Sequence, residues 1–137
     1  ISMKINIINF SEYPGPRYKN QGNSSGEEFY IKVLNPAFAE CYRNKEILEV
    51  YLDGTAGYPS SFLDEAFGEL VYDFSLEVVK RFLKIKTDRY LRHESMILKE
   101  TFPQWENKRV KKSEVKRTIC NSSVFVLENG NVVKKDI

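Results

Sequence analysis

Apolar positions along this chain change period several times, and each change marks an element. Across residues 3–10 β-branched and polar residues alternate, with Ile5, Ile7 and Ile8 on or near the buried side, which predicts a first strand at a sheet edge. The run "SEYPGPRYKNQGNSSG" breaks the alternation with prolines and glycines and predicts a long loop. Its end, Ser25-Gly26-Glu27-Glu28, fits a capping box: the Ser25 hydroxyl accepts from the Glu28 amide while Glu28 reaches back, so a helix starts at about Gly26. Phe29, Val33, Ala37 and Cys41, flanked by Tyr30, Leu34 and Phe38, then form one broad apolar stripe that Pro36 should kink or split. In "EILEVYLD", residues 46–53, apolar side chains fall on both sides of the alternation, as in a central strand.

From Ser61 onward Phe62, Ala66 and Leu70, with Leu63, Phe67 and Val71, recur at four-residue spacing and predict a second helix with one face on the sheet. Ser75 interrupts it, and residues 75–82 read as a further short helix with Leu76, Val79 and Leu83 inward. Residues 82–87 alternate again as a third strand. Asp88 is placed to cap a third long helix carrying Tyr90, Leu91, Ile97, Leu98 and Phe102, ended or bent by Pro103. Two β-rich runs flank Asn129-Gly130, a hairpin signal because both residues tolerate the positive φ of a type I′ turn. The order of elements predicts an α/β sandwich: a small mixed β-sheet with helices packed mainly on one face, plus a C-terminal β-hairpin. Residues 1–102 read as the domain, and 103–137 as a basic linker and hairpin extension packed on it.

Composition narrows the class. At 137 residues, with 42% apolar and 29% charged residues, the chain is of single-domain length and globular in texture. It has no stretch of the ~20 apolar residues that a membrane crossing needs and no signal-like start, so a cytoplasmic location is expected. Ile1 and Ser2 precede Met3, the expected natural start. Cys41 and Cys120 have no partner at metal spacing, and His93, the single histidine, lies in a polar helical stretch and reads as a surface residue. A net charge of +2 does not by itself argue for a nucleic-acid partner.

The candidate chemistry centres on Ser60 and Ser61, at the start of the second helix, where free amides and the helix dipole favour negative charge. Ser61 to Asp64 also fits a cap pattern, which is the structural reading of the same residues. No G-x-S-x-G elbow accompanies them, so hydrolysis is not expected. Asp53, Asp64 and Glu65 form a carboxylate group near the strand end, with Asp64 assigned to the cap and Glu65 to a solvated face. Arg17 and Lys19 lead into a hydroxyl-rich run with Ser24 and Ser25, at neither Walker A nor dinucleotide-loop spacing. Lys108, Arg109, Lys111, Lys112, Lys116 and Arg117 form a basic run whose ordinary meaning is a solvated face, and with Trp105 upstream it supplies the rival reading, a nucleic-acid-associated regulatory factor. An enzyme using Asp53, Ser61 and Arg17 is the third reading.

The turn and helix "LDGTAGYPSSFLDEAFGEL", with "GPRY" and "SSGEEF" upstream, resemble the STAS-like family of unknown function, relatives of the STAS domains of anti-sigma-factor antagonists. The resemblance covers about residues 3–101. In the antagonists a "DSSG" signature follows the strand and its second serine is the phosphorylation switch; Ser60 and Ser61 match the pair and Ser61 the switch. Pro59 stands where the aspartate would be and Phe62 where the glycine would be. The resemblance implies a non-enzymatic regulatory module, with no cofactor and no metal, that binds a protein partner of the histidine-kinase-type ATPase class. The partner surface it suggests comprises Arg17, Lys19, Ser24, Ser25, Tyr58, Ser60, Ser61, Phe62, Asp64 and Glu65. The sequence leaves the oligomeric state open, a homodimer through the tail among the alternatives.

Overall fold

A computed structural model describes residues 2–137; Ile1, ahead of the expected start, lies outside them. Three short strands, β1 (Ser2–Asn6), β2 (Ile47–Tyr51) and β3 (Leu83–Lys86), pair in that order. Both pairings are parallel, with Ser2 opposite Ile47 and Leu48 opposite Leu83. Parallel neighbours need helical crossovers, and the chain supplies them: α1 (Gly26–Phe29) and α2 (Asn35–Asn44) between β1 and β2, α3 (Ser60–Phe74) and α4 (Leu76–Phe82) between β2 and β3. Leu48 and Val50 on one face of β2 are fully buried, whereas Ile47, Glu49 and Tyr51 on the other are only half-buried. Helices therefore cover one face, as expected from so few strands, and the apolar residues on the other side of β2 are left half-buried. The first strand is shorter than expected, because Ile7–Asn9 tighten into a 3₁₀ turn that tucks Ile7 into the core.

Phe29, Phe38, Phe62, Phe67 and Phe74 fill the space between sheet and helices, each at most 1% exposed. A buried Phe of this kind contributes about 1.5–3 kcal/mol. Two glycines set how closely the helices approach. A Cβ on Gly26 would lie 2.4 Å from the Phe62 carbonyl oxygen, and one on Gly68 would lie 2.2 Å from the Trp105 ring.

The helix after Ser25 does split near Pro36, by way of a π turn over Tyr30–Leu34 that closes with the Asn35 amide bonded to the Tyr30 carbonyl. Pro36 has no N–H to give to an α-type bond, and the wide turn absorbs the loss. The same device recurs before Pro103: α5 (Leu91–Met96) passes through a π turn, Ile97–Thr101, into α6 (Phe102–Val110). Pro103 thus bends the helical run without ending it.

Of three expected caps, one holds in part and two are corrected. Ser25 accepts from the Glu28 amide at 3.0 Å, but Glu28 pairs with Lys32 at 2.7 Å and does not reach back. Asp88 caps nothing; Asp53 holds that turn by accepting from the Thr87 hydroxyl at 2.6 Å and the Asp88 amide at 2.7 Å, and Thr87 accepts from the Tyr90 amide. Ser61 does not cap α3 either, because the helix already starts at Ser60, with Pro59 at the cap position and no side-chain cap bond.

After α6, residues 111–122 run as a strap without regular structure to the hairpin β4 (Ser123–Glu128) and β5 (Asn131–Asp136). Asn129 and Gly130 take φ of 52° and 80°, the turn their pairing predicts. The hairpin forms its own two-stranded sheet apart from the parallel one. It rests on α2 and α3. The Asn35 side chain both accepts from the Phe125 amide, at 2.8 Å, and donates to its carbonyl, at 2.9 Å. One edge of β4 is thereby closed by a side chain in place of a strand.

Candidate functional site

The C-terminal ends of parallel strands are where open α/β sheets carry their sites, and here three connections meet there. The segment after β1 is tied to that after β2 by the Ala56 amide, which donates to the Glu12 carbonyl at 2.8 Å. Tyr58 donates to the Leu52 carbonyl at 2.6 Å and its ring meets Phe62, Tyr90 and His93 at 5.9, 5.1 and 5.8 Å. This aromatic group fixes the turn from which α3 departs. His93 is half-buried within it, and burial lowers its pKa, so it is a packing residue and not the surface residue expected.

Ser60 is exposed and Ser61 half-buried on the first turn of α3. Both line a cavity of about 220 Å³ together with Arg17, Asp64, Met96, Glu100, Thr101 and Gln104. Arg17 Nη1 reaches Asp64 at 2.8 Å and Glu65 at 3.1 Å. Asp64 also accepts from the Thr101 hydroxyl at 2.9 Å and from Trp105 Nε1 at 3.3 Å. Asp64 is thus held by three elements and is not the cap residue expected.

Glu65 is 1% exposed, which overturns the solvated face assigned to it. It begins a row of acids on the buried side of α3, Glu65, Glu69 and Asp73, each four residues on and none more than 6% exposed. Burial pushes the Glu69 carboxyl far up, aided by the Glu65 carboxyl one helical turn away, and pushes Asp73 up to about 6. At the far end Arg117 reaches Glu69 at 3.0 Å and Asp73 at 3.7 Å. Tyr30 donates to Asp73 at 2.5 Å and accepts from Asn35 at 3.0 Å.

A second clamp fixes the strap. Glu27 is fully buried and accepts from the amides of Lys19, Thr118 and Ile119 at 2.9, 2.6 and 3.2 Å and from the Thr118 hydroxyl. Burial raises its pKa, yet these bonds outweigh it and hold the carboxyl below its usual range.

Of the suggested surface residues, Arg17, Ser60, Ser61 and Asp64 converge on one cavity, with Lys19 and Ser24 on the neighbouring loop. Ser25, Tyr58, Phe62 and Glu65 lie inside and support it. Asp53 is engaged at the 87–90 turn and does not line the cavity, so it is not brought together with Ser61 and Arg17. The basic run is also largely engaged: Trp105 is 3% exposed with Lys108 4.0 Å above its ring, Arg109 pairs with Glu106, Lys116 lies over Tyr18, and Arg117 is in the acid row. A buried Trp105 offers no face for a base to stack on. Among the described residues no group of three or more His, Cys, Asp or Glu is arranged to hold a metal ion, both cysteines are free, and no helix is long and apolar enough to cross a membrane.

Residues 25–88, a little under half of the chain, match the model of a family described as a STAS-like domain of unknown function. The match runs from the Ser25 cap to the end of the third strand and takes in the first turn of α3. No curated protein and no solved structure matches the chain. A STAS-like segment of this kind suggests a regulatory role.

Proposed function

We propose that this chain, STAS-like over residues 25–88, is a non-enzymatic regulatory module that binds a protein partner through the first turn of α3 and the adjoining loop. The observation that carries the reading is the pair Ser60 and Ser61: hydroxyls on the first turn of a fifteen-residue helix that make no capping bond and open on a cavity beside Arg17. A serine spent on a cap would already be committed to its own helix; these two are free for a partner or a modification. Arg17, Lys19 and Ser24 border the same surface, while Tyr58, Phe62 and Glu65 keep it rigid from below.

Phosphorylation is the switch that this placement favours. The terminal phosphoryl group of ATP passes to the Ser61 Oγ, the hydroxyl proton is released and ADP leaves. The product carries about −1.5 to −2 charge at a helix N-terminus, where such charge is stabilised. The STAS likeness makes an ATPase of the histidine-kinase type the natural partner and donor. Affinity capture from the source cells with the wild-type chain, Ser61→Ala and Ser61→Asp, read by mass spectrometry, tests this. Such an ATPase should be retained by the wild type and by Ser61→Ala and lost from Ser61→Asp. If the three chains retain the same proteins, the switch is refuted.

A further inference from the structure

The first turn of α3 and the C-terminal hairpin are at opposite ends of one polar chain. Arg17, which lines the serine cavity, bonds Glu65; Glu69 lies one helical turn from Glu65 on the same buried row; Arg117 joins Glu69 to Asp73; Tyr30 links Asp73 to Asn35; and Asn35 is bonded to both backbone groups of Phe125 in β4. Glu65, Glu69, Asp73, Tyr30 and Asn35 are all at most 6% exposed, so the charges cannot be exchanged for water without opening the structure. Within the row, Glu65 Oε2, both Glu69 oxygens and Arg117 Nη1 are buried without a hydrogen-bond partner, so the row depends on the ion pairs that Arg17 and Arg117 make with it.

We infer that this chain of side chains is a regulatory relay, by which a phosphate on Ser61 loosens the strap and hairpin at the other end of the molecule. The inference rests on the reading of Ser61 as a modified residue. Arg17 now serves two carboxylates, and a phosphate in the shared cavity competes for it with a larger charge. When Arg17 turns to the phosphate, Glu65, Glu69 and Asp73 are left with a single cation, Arg117. That cation is carried by the strap, which has no secondary structure of its own and is otherwise held by the Glu27 clamp, the Tyr72 bond to the Ser113 carbonyl and Lys116 over Tyr18. Drawing Arg117 towards Glu65 takes it off Asp73, and the bonds from Tyr30 through Asn35 to Phe125 lose their anchor. The output is a strap and hairpin that open more often, which is a shift of population and not a new fold.

Hydrogen exchange by mass spectrometry on the full chain tests the relay, comparing unmodified protein with protein carrying phosphoserine at 61, each also in a Glu69→Gln background. Phosphoserine should raise exchange of the 117–128 amides about fivefold or more, the scale of an ordinary coupling between sites. In the Glu69→Gln chains, where the acid row is cut, the phosphate should leave that segment unchanged. Unchanged exchange on phosphorylation, or an equal rise in both backgrounds, overturns the relay. The two ideas fail separately: if partner retention depends on Ser61 while 117–128 exchange does not, only the relay is wrong, whereas exchange that responds without any effect on retention leaves the relay standing and removes the binding switch.

Discussion

The two ends of α3 carry polar residues for opposite purposes. At its first turn Ser60 and Ser61 have no bond that the fold requires and open on a cavity. Further along, Glu65, Glu69 and Asp73 are nearly inaccessible and are held by cations from two distant segments, Arg17 before α1 and Arg117 in the strap. Polarity alone therefore says nothing about use on this helix. A polar group already paired in the interior belongs to assembly, and a polar group left free at a strand end is available for recognition.

The sharpest way to break the contrast is at the inner row. Arg117→Met removes the cation shared by Glu69 and Asp73 and should destabilise the chain by roughly 3–5 kcal/mol, measured by urea unfolding; a loss below 1 kcal/mol would mean that the acids do not need it. Gly68→Ala tests whether the α3–α6 contact is as close as the Trp105 ring implies. Overpacking there should cost about 2–3 kcal/mol, and an unchanged melting temperature would refute the contact. Glu27→Gln replaces an all-acceptor carboxylate by a group with two donors facing the Lys19, Thr118 and Ile119 amides. It should cost about 1–3 kcal/mol and raise proteolysis within 111–122 ahead of global unfolding.

A smaller effect is expected from pH. Asp73, near 3.8 when unfolded and about 6 when folded, binds its proton more tightly in the native state, so its contribution is complete below about pH 4 and is lost as pH rises through 6. Glu69, raised by burial, acts in the same direction. Glu27 and Glu106, whose pKa values are lowered, act oppositely and lose their contribution as pH falls. Glu69→Gln, permanently neutral, should flatten the decline with rising pH in a series of unfolding measurements; an identical profile would show that Glu69 binds no extra proton on folding.

The fold was legible where side-chain period reports burial directly. The strands, the break at Ser75 and the Asn129-Gly130 turn follow from local pattern, whereas the one-sided packing of the helices follows from the small number of strands. The inner acids were misread because acidic residues ordinarily mark a solvated face. A signal was nevertheless there: on α3 the rows 62/66/70 and 63/67/71 are both apolar, and the row 65/69/73 beside them has no route to solvent once both are packed. Arg117 could not be found this way, since its partners lie more than forty residues upstream and no local pattern links them. The cap at Ser61 failed for a narrower reason: Pro59 places the helix start one residue earlier, and Asp64 is taken by Arg17, Thr101 and Trp105.

The central claim, that the first-turn serines are free of structural duty, is tested most directly by the unfolding free energy of the double variant Ser60→Ala, Ser61→Ala. It should stay within about 0.5 kcal/mol of the wild type, as for surface positions without a named role. A loss of about 1 kcal/mol or more would mean that a serine caps α3 after all, and would contradict the account.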